Sequence, residues 1–207
     1  MEKFGVFFNF MNAGGAINWV ILSLYLVILA VFSHRAVYFC RTRCRRQFLF
    51  AVLESGGSAA ALEQLRPSEK QSPLYRIAEK FSHNAEKPEA VLMEIVDRKA
   101  ALLKKEMENG LTVLSFIGTI APLLGLLGTI TGLMNAFAQI ETRGASVDIS
   151  FLSGGIREAM ITTATGLVTA ICALGCCKLF EHLSSSRLQE MSLAISLLTE
   201  KHREARV

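Results

Sequence analysis

The sequence predicts an all-α integral membrane protein with three transmembrane helices, the second and third extending into the cytoplasm. Three observations carry this. Long uncharged runs alternate with strongly charged segments, and the mean hydropathy is +0.38. Each run reaches the roughly 20 helical residues that a bilayer core requires. Three such runs in 207 residues would leave too little polar surface for a soluble fold.

Residues 1–16 read as a short outer segment. Phe4, Phe7, Phe8, Phe10 and Met11 make it apolar enough to lie at a membrane interface, and Gly14-Gly15 breaks it from the first span. That span is 17–39, around WVILSLYLVILAVF. It is read as a retained span, because no basic leader precedes it and no small-residue cleavage site comes after Phe32. Residues 40–110 form a cytoplasmic helical section, punctuated by Gly56-Gly57, Pro67, Pro73 and Pro88. Pro88 is placed at the first position of a helix. Beyond it Leu92, Ile95/Val96, Leu102/Leu103 and Met107 recur at helical spacing, and this helix is expected to run unbroken into the second span.

The second span, 111–140, carries no charged residue. As one helix it would reach about 45 Å, beyond a hydrocarbon core of about 30 Å, so it must tilt or protrude. A short outer hairpin, 141–152, makes the second and third helices antiparallel neighbours. The third span, 153–180, has charges only near its ends, at Arg157, Glu158 and Lys178. Residues 181–207 continue as a cytoplasmic helix with Leu188, Met191, Ile195 and Leu198 on one face, suited to pack on the cytoplasmic section or on a partner subunit.

Lys and Arg positions set the orientation. Arg35, Arg41, Arg43, Arg45 and Arg46 come after the first run, Arg98, Lys99, Lys104 and Lys105 precede the second, and Lys178, Arg187, Lys201, Arg203 and Arg206 come after the third. The other side offers Lys3, Arg143 and Arg157. The positive-inside rule therefore expects the N-terminus outside and the C-terminus in the cytoplasm. Cys40, Cys44, Cys172, Cys176 and Cys177 then lie in the membrane or at its cytoplasmic edge, where a reducing compartment favours free thiols. The basic segments suit anionic lipid rather than nucleic acid.

Two helical faces stand out. On the second span, Gly118, Pro122, Gly125, Thr129 and Gly132 recur at spacings of three and four, a small-residue face over which backbones approach closely. It suits either packing within the chain or a pore-lining surface. On the third span, Glu158, Thr162, Thr165, Thr169, Cys172 and Cys176 fall near one line at about 100° per residue. A Thr alone need not face water, since its hydroxyl can bond the preceding turn. A carboxylate within a span is costly. Glu158 reads as a headgroup-level ion pair with Arg143 or Arg157, or as an acid in an ion path continued inward by the Thr stripe.

Little suggests an enzyme. Gly125-x-x-Gly128-Thr129 lies inside a span and lacks the Lys of a phosphate-binding loop. His34, His83, His182 and His202 show no metal-ligand spacing, no nucleophile–base pair is visible, and no cofactor or metal is expected.

The stretch IGTIAPLLGLLGTITGLMNAF, Ile117–Phe137, together with GGIREAMITTATGLVTAI, Gly154–Ile171, resembles the ExbB/TolQ/MotA family of proton-channel motor subunits. Three spans and a modest cytoplasmic section match the ExbB/TolQ branch rather than MotA, which has a fourth membrane helix. The resemblance implies a homopentamer in the bacterial inner membrane, with two copies of an ExbD/TolR-like single-span partner in its lumen, doing work on a TonB- or TolA-like effector. Motif by motif, Thr129 takes the place of the lumen Thr, Glu158 that of the Glu in GIxEA, and Thr163 that of the Thr in TAxGL. Thr162 joins them as an ion-path candidate from periodicity, because it lies under Glu158 while Thr163 sits about 140° round the helix. Alternatives are a structural scaffold without its own ion path, and a gliding, secretion or defence motor of the same family.

Overall fold

The structure, a computed structural model, describes residues 14–42, 69–143 and 149–204. Every regular element among them is helical. α1 spans Gly15–Arg41, a 3-10 turn Glu69–Gln71, α2 Pro73–Ser82, α3 Glu89–Glu108, α4 Leu111–Arg143 and α5 Ile149–Glu204. Three stretches, within Gly15–Arg41, Glu89–Glu141 and Ser153–Glu204, are long and apolar enough to cross a membrane. Of the expected outer segments, residues 1–13 and 144–148 lie outside the described residues, as do Gly56-Gly57, Pro67 and Cys44.

The chain divides into two compact units. The first comprises the described residues up to Phe32 together with Gly110–Lys178. It carries the apolar runs, and its outward surface is apolar: Phe116 is 62% exposed, Met134 65% and Ile171 70%. Such side chains are tolerable only where lipid or another chain covers them.

α4 and α5 pack through glycine. A Cβ built on Gly125 would lie 3.1 Å from Thr163 Cα and 3.2 Å from the Thr162 carbonyl oxygen. One on Gly166 would lie 2.6 Å from the Ala121 carbonyl oxygen, and one on Gly132 3.2 Å from Ala159 Cβ. Backbone meets backbone here, and the helices could not approach so closely with larger residues. A Cβ on Gly118 would instead lie 2.6 Å from the Leu174 side chain. Pro122 lies inside α4 without ending it.

The second unit comprises Ser33–Asn109 and the described residues from Leu179 onward. Its core is an ordinary hydrophobic cluster. Leu92, Val96, Leu103 and Met107 from α3 meet Leu74, Ile77 and Phe81 from α2 and Met191, Ala194 and Leu198 from α5. The α3 stripe and the α5 face expected from periodicity are therefore buried against one another. α2 starts as its sequence dictates. The Ser72 hydroxyl accepts from the Tyr75 N–H at 3.1 Å, and Pro73 occupies the first turn, where no N–H is needed.

Two expectations need correction. α3 does not run unbroken into α4. The chain leaves the helix at Asn109, with ψ 133°, and Gly110 takes φ 82°, a left-handed conformation that glycine adopts without steric cost. The Asn-Gly dipeptide is the local cause. Pro88 is the residue before α3 rather than its first residue: its φ of −54° and ψ of 140° are extended, and the helix begins at Glu89.

Candidate functional site

The polar stripe of α5 meets the start of α1. α1 opens at Gly15, whose φ of 65° turns the chain into the helix. The Glu158 carboxylate lies against this glycine, its Oε1 occupying the space that a Cβ would need. Glu158 is half-buried there.

Below Glu158 the hydroxyls are bonded inside the protomer. Thr162, only 1% exposed, lies within 2.9 Å of both the Gly14 and the Glu158 carbonyl oxygens and can donate to either. Thr165 reaches the Asn18 side-chain oxygen at 2.8 Å and the Thr162 carbonyl at 2.9 Å. Thr169 donates to the Thr165 carbonyl at 2.8 Å. The stripe therefore joins α5 to α1 through the hydroxyls of Thr162 and Thr165.

Asn18 is the functional neighbour that sequence reasoning missed. It is 1% exposed in the first turn of α1, one amide at the head of an apolar run. Its polarity at the start of a span was the available signal, but its partner Thr165 is 147 positions away.

Thr163 belongs to the other edge of α5. Its hydroxyl donates to the Gly125 carbonyl of α4 at 3.0 Å, and it is half-buried. Thr129, one turn beyond Gly125 on α4, is half-buried too, and donates to its own helix at the Leu126 carbonyl, 2.6 Å away. The angle of about 140° between Glu158 and Thr163 thus has a structural meaning. Glu158 faces α1, and Thr163 faces α4. Of the small residues on α4, Gly125 and Gly132 line the contact with α5, and Gly128 joins them against the Thr162 side chain. Within the protomer this is a packing face.

The thiols are spread along the chain. Cys40, Cys172, Cys176 and Cys177 are free. Cys177 is buried, with its sulfur 3.5 Å from the Leu111 carbonyl oxygen. It closes the lower end of the α4–α5 contact.

Residues 68–193 match the MotA/TolQ/ExbB proton channel family. A biopolymer transport protein named as an ExbB homolog in Methanothermobacter thermautotrophicus is 29% identical over 174 residues, covering 81% of this chain and 60% of that protein. The biopolymer transport protein ExbB of Xanthomonas campestris is 37% identical over 97 residues, 45% of this chain and 38% of its own length. That of Salmonella typhimurium is 38% identical over 79 residues, 38% of this chain and 32% of its own. The chain thus spans between about a third and three fifths of these relatives. The family match runs over most of the chain and includes α4 and the part of α5 that carries Glu158, Thr162 and Thr163: the chain belongs to the MotA/TolQ/ExbB proton channel family.

Proposed function

We propose that the chain is a proton-conducting subunit of an inner-membrane motor. It works as a homopentamer around an ExbD/TolR-like single-span partner, with its N-terminus outside and its C-terminus in the cytoplasm. The motor converts the proton gradient into work on a TonB- or TolA-like envelope protein. One observation carries this reading: a proton channel family member holds a carboxylate, Glu158, half-buried between two membrane helices. A carboxyl group in that setting is retained at a cost that function must justify. The apolar exterior of the first unit supports assembly, since a ring of subunits would cover part of it.

Thr129 and Thr163 lie at the edge of the α4–α5 contact not occupied by Asn18 and Gly15, and we assign them to the lumen. Their hydroxyls both donate and accept, so they hold water or meet a partner carboxylate without adding fixed charge. Glu158 lies at the opposite edge. Glu158, held against the start of α1, supplies the ionisable group of the same path. Thr162, enclosed within the protomer, holds α1 and α5 together beside that path.

The test replaces Glu158. Glu158→Ala and Glu158→Gln abolish growth or transport that depends on the proton gradient, while the native mass of the purified complex is unchanged. Glu158→Asp retains part of the activity, keeping the ionisable group with a shorter reach. Full activity in Glu158→Ala reduces Glu158 to a packing residue and favours the scaffold reading, to which the internally bonded Thr162, Thr165 and Thr169 hydroxyls already lend some support.

A further inference from the structure

A cleft of about 620 Å³ opens in the second unit, between the last turns of α1 and the 3-10 turn with α2. Its volume is that of a small-molecule site. Arg41 on one wall and Lys70 on the other supply cations, and neither has an ion-pair partner among the described residues. Arg76 also lines it, but its guanidinium is held by Glu106 at 2.7 Å. Glu79 lines the cleft as well, with its carboxylate 3.5 Å from the Tyr75 hydroxyl. Tyr38 forms part of the α1 wall, with its hydroxyl shielded from solvent. The cleft therefore offers two cations that have no ion-pair partner among the described residues, which is the complement of a phosphate.

Position decides the source of that phosphate. The α1 wall is the end of a helix apolar enough to cross a bilayer, and Val37, 51% exposed, lines the same cleft. Basic side chains at the end of a span, with an apolar side chain beside them, fit a lipid headgroup with its acyl chain alongside. We propose that this cleft binds the phosphate of an anionic phospholipid, one per subunit. The proposal rests on α1 being a membrane helix and is independent of Glu158 and of proton conduction.

Native mass spectrometry of the full-length complex tests it, with phosphatidylglycerol, phosphatidylethanolamine and inorganic phosphate titrated separately. Phosphatidylglycerol is expected to bind once per chain, at least tenfold more tightly than phosphatidylethanolamine. Arg41→Gln with Lys70→Gln is expected to weaken it about twenty-five-fold, from about fivefold per cation lost. Arg41→Lys with Lys70→Arg keeps both charges and is expected to bind within a few-fold of the parent. Unchanged binding in the double glutamine variant overturns the proposal, and so does equal retention of the two lipids by the parent protein. The latter comparison decides even if the glutamine variant does not assemble. Saturation by inorganic phosphate at the same concentration as the lipid overturns the lipid assignment and leaves a site for soluble phosphate.

Discussion

The two units solve the same problem, holding long helices together, by opposite means. In the second unit Leu92, Leu103, Met107 and Ile77 are buried almost completely in a cluster that water drives together. In the first, the α4–α5 contact centres on Gly125, Gly132, Gly155 and Gly166, and Thr hydroxyls reach across to the carbonyls of Gly14 and Gly125. Lipid tails are as apolar as leucine, so large apolar side chains gain little by leaving them for a helix interface. What remains is close backbone contact and hydrogen bonding. The difference teaches where function can reside. The first unit needs hydroxyls for its own architecture, and a few at its edges are left half-buried, where an ion path can use them.

The contrast breaks most readily at Gly125. Gly125→Leu places a side chain where Thr163 Cα and the Thr162 carbonyl oxygen are within 3.2 Å of the Cβ alone, and backbone cannot withdraw as a side chain can. The expected outcome is loss of the assembled complex, read by native mass and by yield from the membrane. An intact, active Gly125→Leu complex would show that small residues do not govern the α4–α5 contact. In the second unit, Leu103→Ala leaves a cavity in a water-driven core and should destabilise by about 2–5 kcal/mol. Limited proteolysis of the complex in denaturant reads this, and cleavage should begin at lower denaturant within the second unit while the first stays protected. Equal loss of protection in both units would mean that they unfold as one.

Much of this was legible from pattern. Uncharged run length gave three spans because a bilayer core imposes it. Period 3.6 gave the buried faces of α3 and α5, where Leu92, Val96, Met191 and Leu198 lie as spaced. The break at Asn109–Gly110 was also written in the chain, but the apolar and helical spacing on either side outweighed a dipeptide turn signal. Contacts between distant segments were not legible. Periodicity placed Glu158, Thr162, Thr165 and Thr169 on one line without saying what the line faces, and the answer lies in Gly14, Gly15 and Asn18, about 140 positions earlier. In the second unit Arg187 donates to the carbonyls of Phe39 and Thr42, satisfying the end of α1, and its ring neighbour Phe39 stacks on Phe180 with centroids 5.7 Å apart. An isolated arginine in a charged helix gives no such warning.

The finest distinction lies between two adjacent threonines. Thr162→Val and Thr163→Val each remove one hydroxyl and keep the shape of the side chain. Each removes a helix-to-helix hydrogen bond, to the Gly14 carbonyl in the first case and to the Gly125 carbonyl in the second. The expected loss of stability is similar for both, about 0.6 kcal/mol and at most about 1.7 kcal/mol, the average and the upper limit for such bonds between membrane helices. Activity should separate them. Thr163 is half-buried at the edge assigned to the lumen, whereas Thr162 is enclosed between α1 and α5. Thr163→Val, like Thr129→Val, is expected to impair proton-driven work strongly in a complex of normal mass. Thr162→Val is expected to reduce it only as far as its stability falls. Thermal unfolding of the purified variants, set beside gradient-dependent growth, measures both quantities. If the two valine variants lose activity equally at equal stability, Thr162 belongs to the ion path, and the polar stripe facing α1 carries protons as well as holding the helices together.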